Sequence, residues 1–138
     1  MRAVAENRVI LQDASGAVLI VAEKATLRVT ALLVDEAGVA IPSIGLSTLT
    51  LTLYNRDSVT KEIINSVDAV NILNTGRGSV HASSGLLTIT LEPNDTAIVD
   101  TATDLEWHRA LIQGTYGAGA KTFRQEVDFQ VRNLNKVS

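Results

Sequence analysis

The sequence predicts an all-β domain, and three features of it do so. In residues 123–132, Phe123, Val127, Phe129 and Val131 share one face, while Arg124, Glu126, Asp128, Gln130 and Arg132 share the other. Successive side chains of a strand point to opposite faces, so this segment is a strand with one face in a core and one in water. Gln125 alone interrupts its apolar side. Thr48-Leu49-Thr50-Leu51-Thr52-Leu53 repeats the pattern, with β-branched threonine on the wet face and leucine on the dry one. The third feature is punctuation: turn-type clusters cut the chain into short segments, and no long stretch carries helical periodicity.

From the N-terminus, Arg8–Gln12 and Ala17–Ala22 are apolar runs separated by Asp13-Ala14-Ser15-Gly16. That turn cluster predicts a hairpin or an extended arm over residues 1–24, ahead of a sandwich domain over 25–138. Ala25, Leu27, Val29, Ala31 and Leu33 alternate with Thr26, Arg28 and Thr30, and Asp35-Glu36-Ala37-Gly38 closes that strand. Pro42 lacks an N–H, so Ile41-Pro42-Ser43 is an edge or a connector. After the Thr/Leu strand, Asn55–Ser58 turns the chain, and Glu62–Ile64 and Val70–Leu73 are each long enough for a short strand. Asn74–Gly78 is a loop, and Leu87-Thr88-Ile89-Thr90-Leu91 is a clear strand.

Residues 93–105 have the one helical flavour, with Asn94 or Asp95 placed to cap a turn through Ala97, Ile98 and Val99. Trp107–Tyr116 returns to strand, with His108, Ala110, Ile112, Gly114 and Tyr116 on one face. About seven short strands joined by turns predict an immunoglobulin-like antiparallel β-sandwich.

A chain of 138 residues is one domain with room for a sizeable core. The net charge of -3 argues against binding nucleic acid by phosphate neutralisation. With no cysteine, neither a disulfide framework nor a thiolate metal site is available, and the composition suits a reducing cytosol. The apolar run Ala17–Ala22 is far short of the ~20 residues that span a bilayer. Glu6, Arg8 and Asp13 interrupt the apolar region a signal peptide needs, so export is not expected.

No catalytic, cofactor-binding or metal-binding set emerges. Gly114–Thr122 superficially suggests a phosphate loop, but Ala120 separates Gly119 from Lys121 and a strand follows where that motif needs a helix. It reads as a hairpin turn. His81 and His108 have no ligand spacing, and His108 is expected half-buried on a strand, bonded to Asp104 or Glu106. No Gly-x-Ser-x-Gly elbow is present. Glu92, Asp95, Asp100, Asp104 and Glu106 are oxygen donors of the kind calcium takes, but they match no EF-hand loop and read as a solvated connection. They are also where paired hydrolase carboxylates would have to lie. Trp107, the single tryptophan, is expected in the core or between subunits rather than on a sugar-stacking platform.

Several blocks together resemble the small immunoglobulin-like virion structural proteins of tailed bacteriophages. They are Leu49–Asn55, Ile64-Asn65, Val70–Asn74, Gly85–Leu87, Leu91–Thr96, Glu106–Ala110 and Glu126–Leu134. The resemblance spans roughly residues 25 to 137. It implies a non-enzymatic particle component at the head–tail connection or neck, or a capsid decoration protein. Its partners would be other virion proteins and further copies of itself, without nucleic acid or membrane, after synthesis in the host cytoplasm. The expected contact residues are Val9, Ile10, Leu11, Leu19 and Ile20 in the arm, then Trp107, and the two-signed stripe Arg124, Glu126, Asp128 and Arg132. The competing expectation is a carbohydrate-binding or adhesion sandwich. That one requires Trp107 with Tyr54 or Tyr116 on one exposed face.

Overall fold

A computed structural model describes residues 8–12, 20–35, 37–57, 60–119 and 121–134. The strands are β1 (Arg8–Gln12), β2 (Ile20–Ala22), β3 (Leu27–Val34), β4 (Leu46–Asn55), β5 (Val70–Asn71), β6 (Gly78–Val80), β7 (Leu86–Leu91), β8 (Leu105–Tyr116) and β9 (Lys121–Arg132). They form two sheets, of order β1-β3-β7-β6 and β2-β9-β8-β4-β5. In sandwich lettering the first sheet is A-B-E-D and the heart of the second is G-F-C, which is the immunoglobulin arrangement. Every named strand pair is antiparallel except β2 with β9.

The strand count exceeds the expected seven because the edges are built from very short strands. β5 and β6 cap two edges with two and three residues, which limits the exposed ladder. The segment expected to be an N-terminal hairpin or arm is neither in its described part. β1 pairs with β3 in one sheet, and β2 runs parallel to β9 in the other. The two runs are therefore not each other's partners: each satisfies its backbone on a different sheet edge of its own chain. Residues 13–19, including Leu19, lie outside the described residues.

The core sits between the sheets. Leu49, Leu51 and Leu53 of β4 are fully buried, as are Ile112 of β8 and Phe129 and Val131 of β9. Val29, Leu33, Leu87, Ile89 and Leu91 face them from β3 and β7. Each buried leucine contributes on the order of 2 kcal/mol, so apolar packing holds the sheets together where many immunoglobulin domains use an inter-sheet disulfide. The outward threonines of β4 are not all wet. Thr52 is buried because residues 62–71 run alongside β4, with Leu53 N–H donating to Val67 O and Thr52 Oγ1 accepting from Ala69 N–H at 2.9 Å.

The long hairpin β8–β9 pairs Leu105 with Arg132 through to Tyr116 with Lys121. Its turn contains Gly117 and Gly119, both at positive φ, as expected of a hairpin and not of a phosphate loop. Gly114 lies inward, where a Cβ would stand 2.6 Å from Phe123 Cε1 and 2.9 Å from Thr48 O. Gly114→Ala is therefore expected to cost about 1–3 kcal/mol, because neither the ring nor the backbone can yield freely. Urea unfolding checks this, and a midpoint equal to wild type would contradict the close packing.

Candidate functional site

Two buried charges set the connection from β7 to β8. Asp95, fully buried, accepts Arg77 Nε at 2.6 Å and Arg77 Nη2 at 3.0 Å, and it also accepts Asn65 Nδ2 at 2.7 Å. Its Oδ2 takes the Glu92 N–H at 2.7 Å, closing a reciprocal cap on the 3-10 turn Pro93–Thr96. The turn thus lies upstream of the expected one, and Asp95 is its third residue while Glu92 is its cap. Burial pushes the Asp95 carboxyl up, but its bonds from Arg77, Asn65 and Glu92 N–H outweigh that and hold it below its ordinary 3.8.

Glu106 and His108 form the second anchor on the inward face of β8, and both are essentially inaccessible to solvent. Glu106 Oε1 accepts Val99 N–H at 2.8 Å and lies 2.5 Å from His108 Nε2; Oε2 accepts Asp100 N–H at 2.8 Å. The carboxylate thus substitutes for a missing strand partner of the 97–100 backbone. His108 packs edge-on against Phe129, and its Nδ1 has no hydrogen-bond partner. Burial lowers its basicity, more than Glu106 and Asp57 raise it. The expected bond to Glu106 is present, but the side chain is buried, not half-buried.

These bonds account for the acidic run expected as a solvated connection. Asp95 and Glu106 are internal, whereas Glu92, Asp100 and Asp104 are exposed. No cluster of three potential metal ligands exists among the described residues.

What remains is the outer face of the five-stranded sheet. Register lays its side chains out in rows. Ile20, Gln130 and Trp107 form one, and Ala22, Arg132 and Leu105 lie beside it. Asp128, Arg109 and Tyr54 form the next, followed by Glu126, Leu111 and Thr52. Arg124, Gln113 and Thr50 come after these, and the last row is Thr122, Thr115 and Thr48. The face has three zones. At one end Ile20 and Leu105 are exposed beside Trp107.

In the middle, Arg109 grips Asp128 with two bonds, 2.6 and 3.0 Å, and reaches Glu126 at 3.1 Å, while Arg56 reaches Asp128 at 3.3 Å. Such a fork fixes geometry more than it adds stability at a half-exposed position. Bonds from Arg109 lower the Asp128 carboxyl, with Arg56 adding to the effect, and Asp128 and Tyr54 raise the Arg109 guanidinium. At the far end Thr48, Thr50, Gln113, Thr115, Thr122 and Arg124 line a shallow groove of about 350 Å³.

Six of the expected contact residues, Ile20, Trp107, Arg124, Glu126, Asp128 and Arg132, come together on this one face. Val9, Ile10 and Leu11 do not: they stand opposite Leu33, Leu32 and Ala31 at the edge of the other sheet. Trp107 is not a core residue. It is half-buried on the outer face with Arg56 Cζ 4.7 Å from its ring centroid. Tyr54, on the same face, has Lys61 Nζ 5.2 Å from its own ring. The two aromatics demanded of a sugar platform thus share a face, but each ring carries a cation. Arg56, Leu105 and Arg109 were missed, and Tyr54 was named only for the sugar-binding alternative. The signal was parity: 105, 107 and 109 share one side of β8, opposite the apolar 108, 110 and 112.

No family model matches the chain, and no curated protein does. Among solved structures it is similar to the endo-β-1,4-mannanase from Thermotoga petrophila, at 14% identity and a TM-score of 0.49, over 95% of this chain and 21% of that one. It is also similar to a chimeric titin Z1Z2 functionalized with an exogenous peptide from decorin, at 12% identity and a TM-score of 0.42, over 96% of this chain and 51% of that one. The chain therefore spans about a fifth of the first and half of the second. The assignment of the sandwich rests on strand order, and neither likeness bears on function.

The buried pairs predict the pH response. His108 is harder to protonate folded than unfolded, so its contribution is complete above its ordinary value of 6.5 and is lost as pH falls below it. Asp95 and Asp128 are depressed carboxyls, whose contributions are lost as pH falls below 3.8. Thermal unfolding should show a Tm that is level above pH 6.5, declines below it and drops further under 3.8. His108→Gln should remove the first decline and keep the second. An unchanged first decline in that variant would show that another group titrates there.

Proposed function

We propose that this chain is a non-enzymatic structural protein of a tailed-bacteriophage particle, working by protein–protein contact through the outer face of the five-stranded sheet. The observation behind the contact role is the convergence of Ile20, Leu105, Trp107, Arg109, Arg124 and Arg132 on one side of one sheet. Aromatic and arginine side chains beside apolar ones are the composition of energetically dominant interface positions. The buried carboxylates Asp95 and Glu106 are each committed to internal hydrogen bonds, which supports a scaffold reading over a hydrolytic one. The particle setting is supported by the resemblance of residues 25–137, with the head–tail connection ranked ahead of capsid decoration.

The sugar-binding reading needs bare ring faces. Arg56 over Trp107 and Lys61 over Tyr54 weigh against it.

Mass spectrometry of purified particles tests the proposal. The protein should be present, and Trp107→Ala and Arg124→Glu variants that fold normally should be depleted from particles at least severalfold. Its absence from particles would overturn the particle setting. Normal incorporation of both variants would overturn the assigned face. The copy number distinguishes a neck ring from a decorated shell.

A further inference from the structure

We infer that two copies of this chain join their five-stranded sheets edge to edge through β9, about a two-fold axis at Gln125. The site is the rim of the sheet rather than its outer face, and it stands independently of the contact reading above. β8 pairs with β9 along its whole length on one side, whereas β2 meets the other side only at Gln130–Arg132. Among the described residues no further strand pairs with β9, so residues 121–129 form a sheet edge whose midpoint is Gln125. The ends of the strand fix where its main-chain groups point. Asn133 N–H donates to Asp104 O at 2.8 Å, toward β8, and Glu23 N–H donates to Arg132 O at 2.9 Å, toward β2. Main-chain groups alternate sides from residue to residue and the register is unbroken, so those of Arg124, Glu126 and Asp128 point out of the edge. Outward N–H and C=O groups in a row are a template for another strand.

The side chains along this edge suit a second copy of the same strand. Arg124 and Glu126 are both exposed. Arg124 has no ion-pair partner among the described residues, and Glu126, with its side chain 48% exposed, reaches Arg109 alone. An antiparallel pair of β9 strands with its axis at Gln125 sets Arg124 of each copy directly opposite Glu126 of the other, so opposite charges meet twice. Both residues direct their main-chain groups outward, so each of these pairs also exchanges its N–H and C=O bonds. Moving the axis by one residue sets Arg124 against Arg124 or Glu126 against Glu126, and like charges directly opposed destabilise a sheet. Charge thus selects the register together with the partner.

Gln125, the one interruption in the apolar side of β9, also finds a role. It is half-buried between the buried Phe123 and Val127. At the axis it faces Gln125 of the other copy, where one side-chain amide donates and the other accepts, while Phe123 of each copy stands opposite Val127 of the other. Residues of the same parity pair across the axis, so the outer faces of the two sheets become one continuous surface. A contact made by one strand pair is small, so the dimer is a weak one that forms as concentration rises.

Sedimentation equilibrium of the full chain, with amide hydrogen exchange followed by NMR, tests the edge pairing. Wild type should show a monomer–dimer equilibrium. The amides of Arg124 and Glu126 should exchange rapidly in dilute protein and slow severalfold as the dimer forms. Arg124→Glu and Glu126→Arg should each weaken the dimer by about tenfold or more, since each opposes like charges twice, and the double variant should recover most of the loss. Arg124→Pro removes an N–H that β8 does not use, so it should keep the fold and abolish the dimer. Wild type that remains monomeric at every accessible concentration would overturn the inference. So would a dimer in which the Arg124 and Glu126 amides stay unprotected, or a double variant no better than the singles.

Discussion

The pairing of β8 with β9 is the constraint on which the rest depends. Twelve registered positions run from Leu105–Arg132 to Tyr116–Lys121. Because side chains alternate with period two, this register alone decides that Phe123, Val127, Phe129 and Val131 fill the core while Arg124, Glu126, Asp128 and Arg132 reach the surface. A slip by one residue would bury four charges and expose two phenylalanines. β4 adds to one side of the hairpin and β2 to the other, so both inherit its division into dry and wet faces. The candidate contact surface is the wet half of that division.

Buried polar groups then fix what the strands leave undetermined. Arg77–Asp95 and Glu106–His108 both act on the β7–β8 connection, and both exchange solvation for directed bonds. Such pairs are modest sources of net stability, but a broken one leaves an uncompensated buried charge. Their yield here is position: the connection ends at Leu105 in one orientation, at the start of the outer face. The unsatisfied Nδ1 of His108 is the cost of this arrangement, and it ties the loop's integrity to neutral imidazole.

How much was legible in the sequence followed from the range of each interaction. Alternation at Leu49–Leu53 and Phe123–Arg132 gave the strands and their faces, because the period of two is local. Gly114–Lys121 read as a hairpin for the same reason. The sheet partners of Arg8–Gln12 and Ile20–Ala22 were not legible: edge pairing with β3 and β9 is decided by tertiary geometry, and Asp13–Gly16 carries the same turn residues as a hairpin. The Arg77–Asp95 clamp has no local signature, and without it the cap of the 3-10 turn was placed too late. Of the contact surface, the charged stripe was legible. Trp107 was expected either in the core or between subunits, and its parity with Leu105 and Arg109 on β8 decides against the core.

Hydroxyl-radical footprinting of the dilute protein against its assembled form, read residue by residue, tests the central claim most directly. If the outer face of the five-stranded sheet is the contact surface, modification of Trp107, Leu105 and Ile20 should fall severalfold on assembly, while Val39, Ile44 and Leu86 keep their reactivity. Protection of Val39, Ile44 and Leu86 with Trp107 and Leu105 still reactive would contradict it.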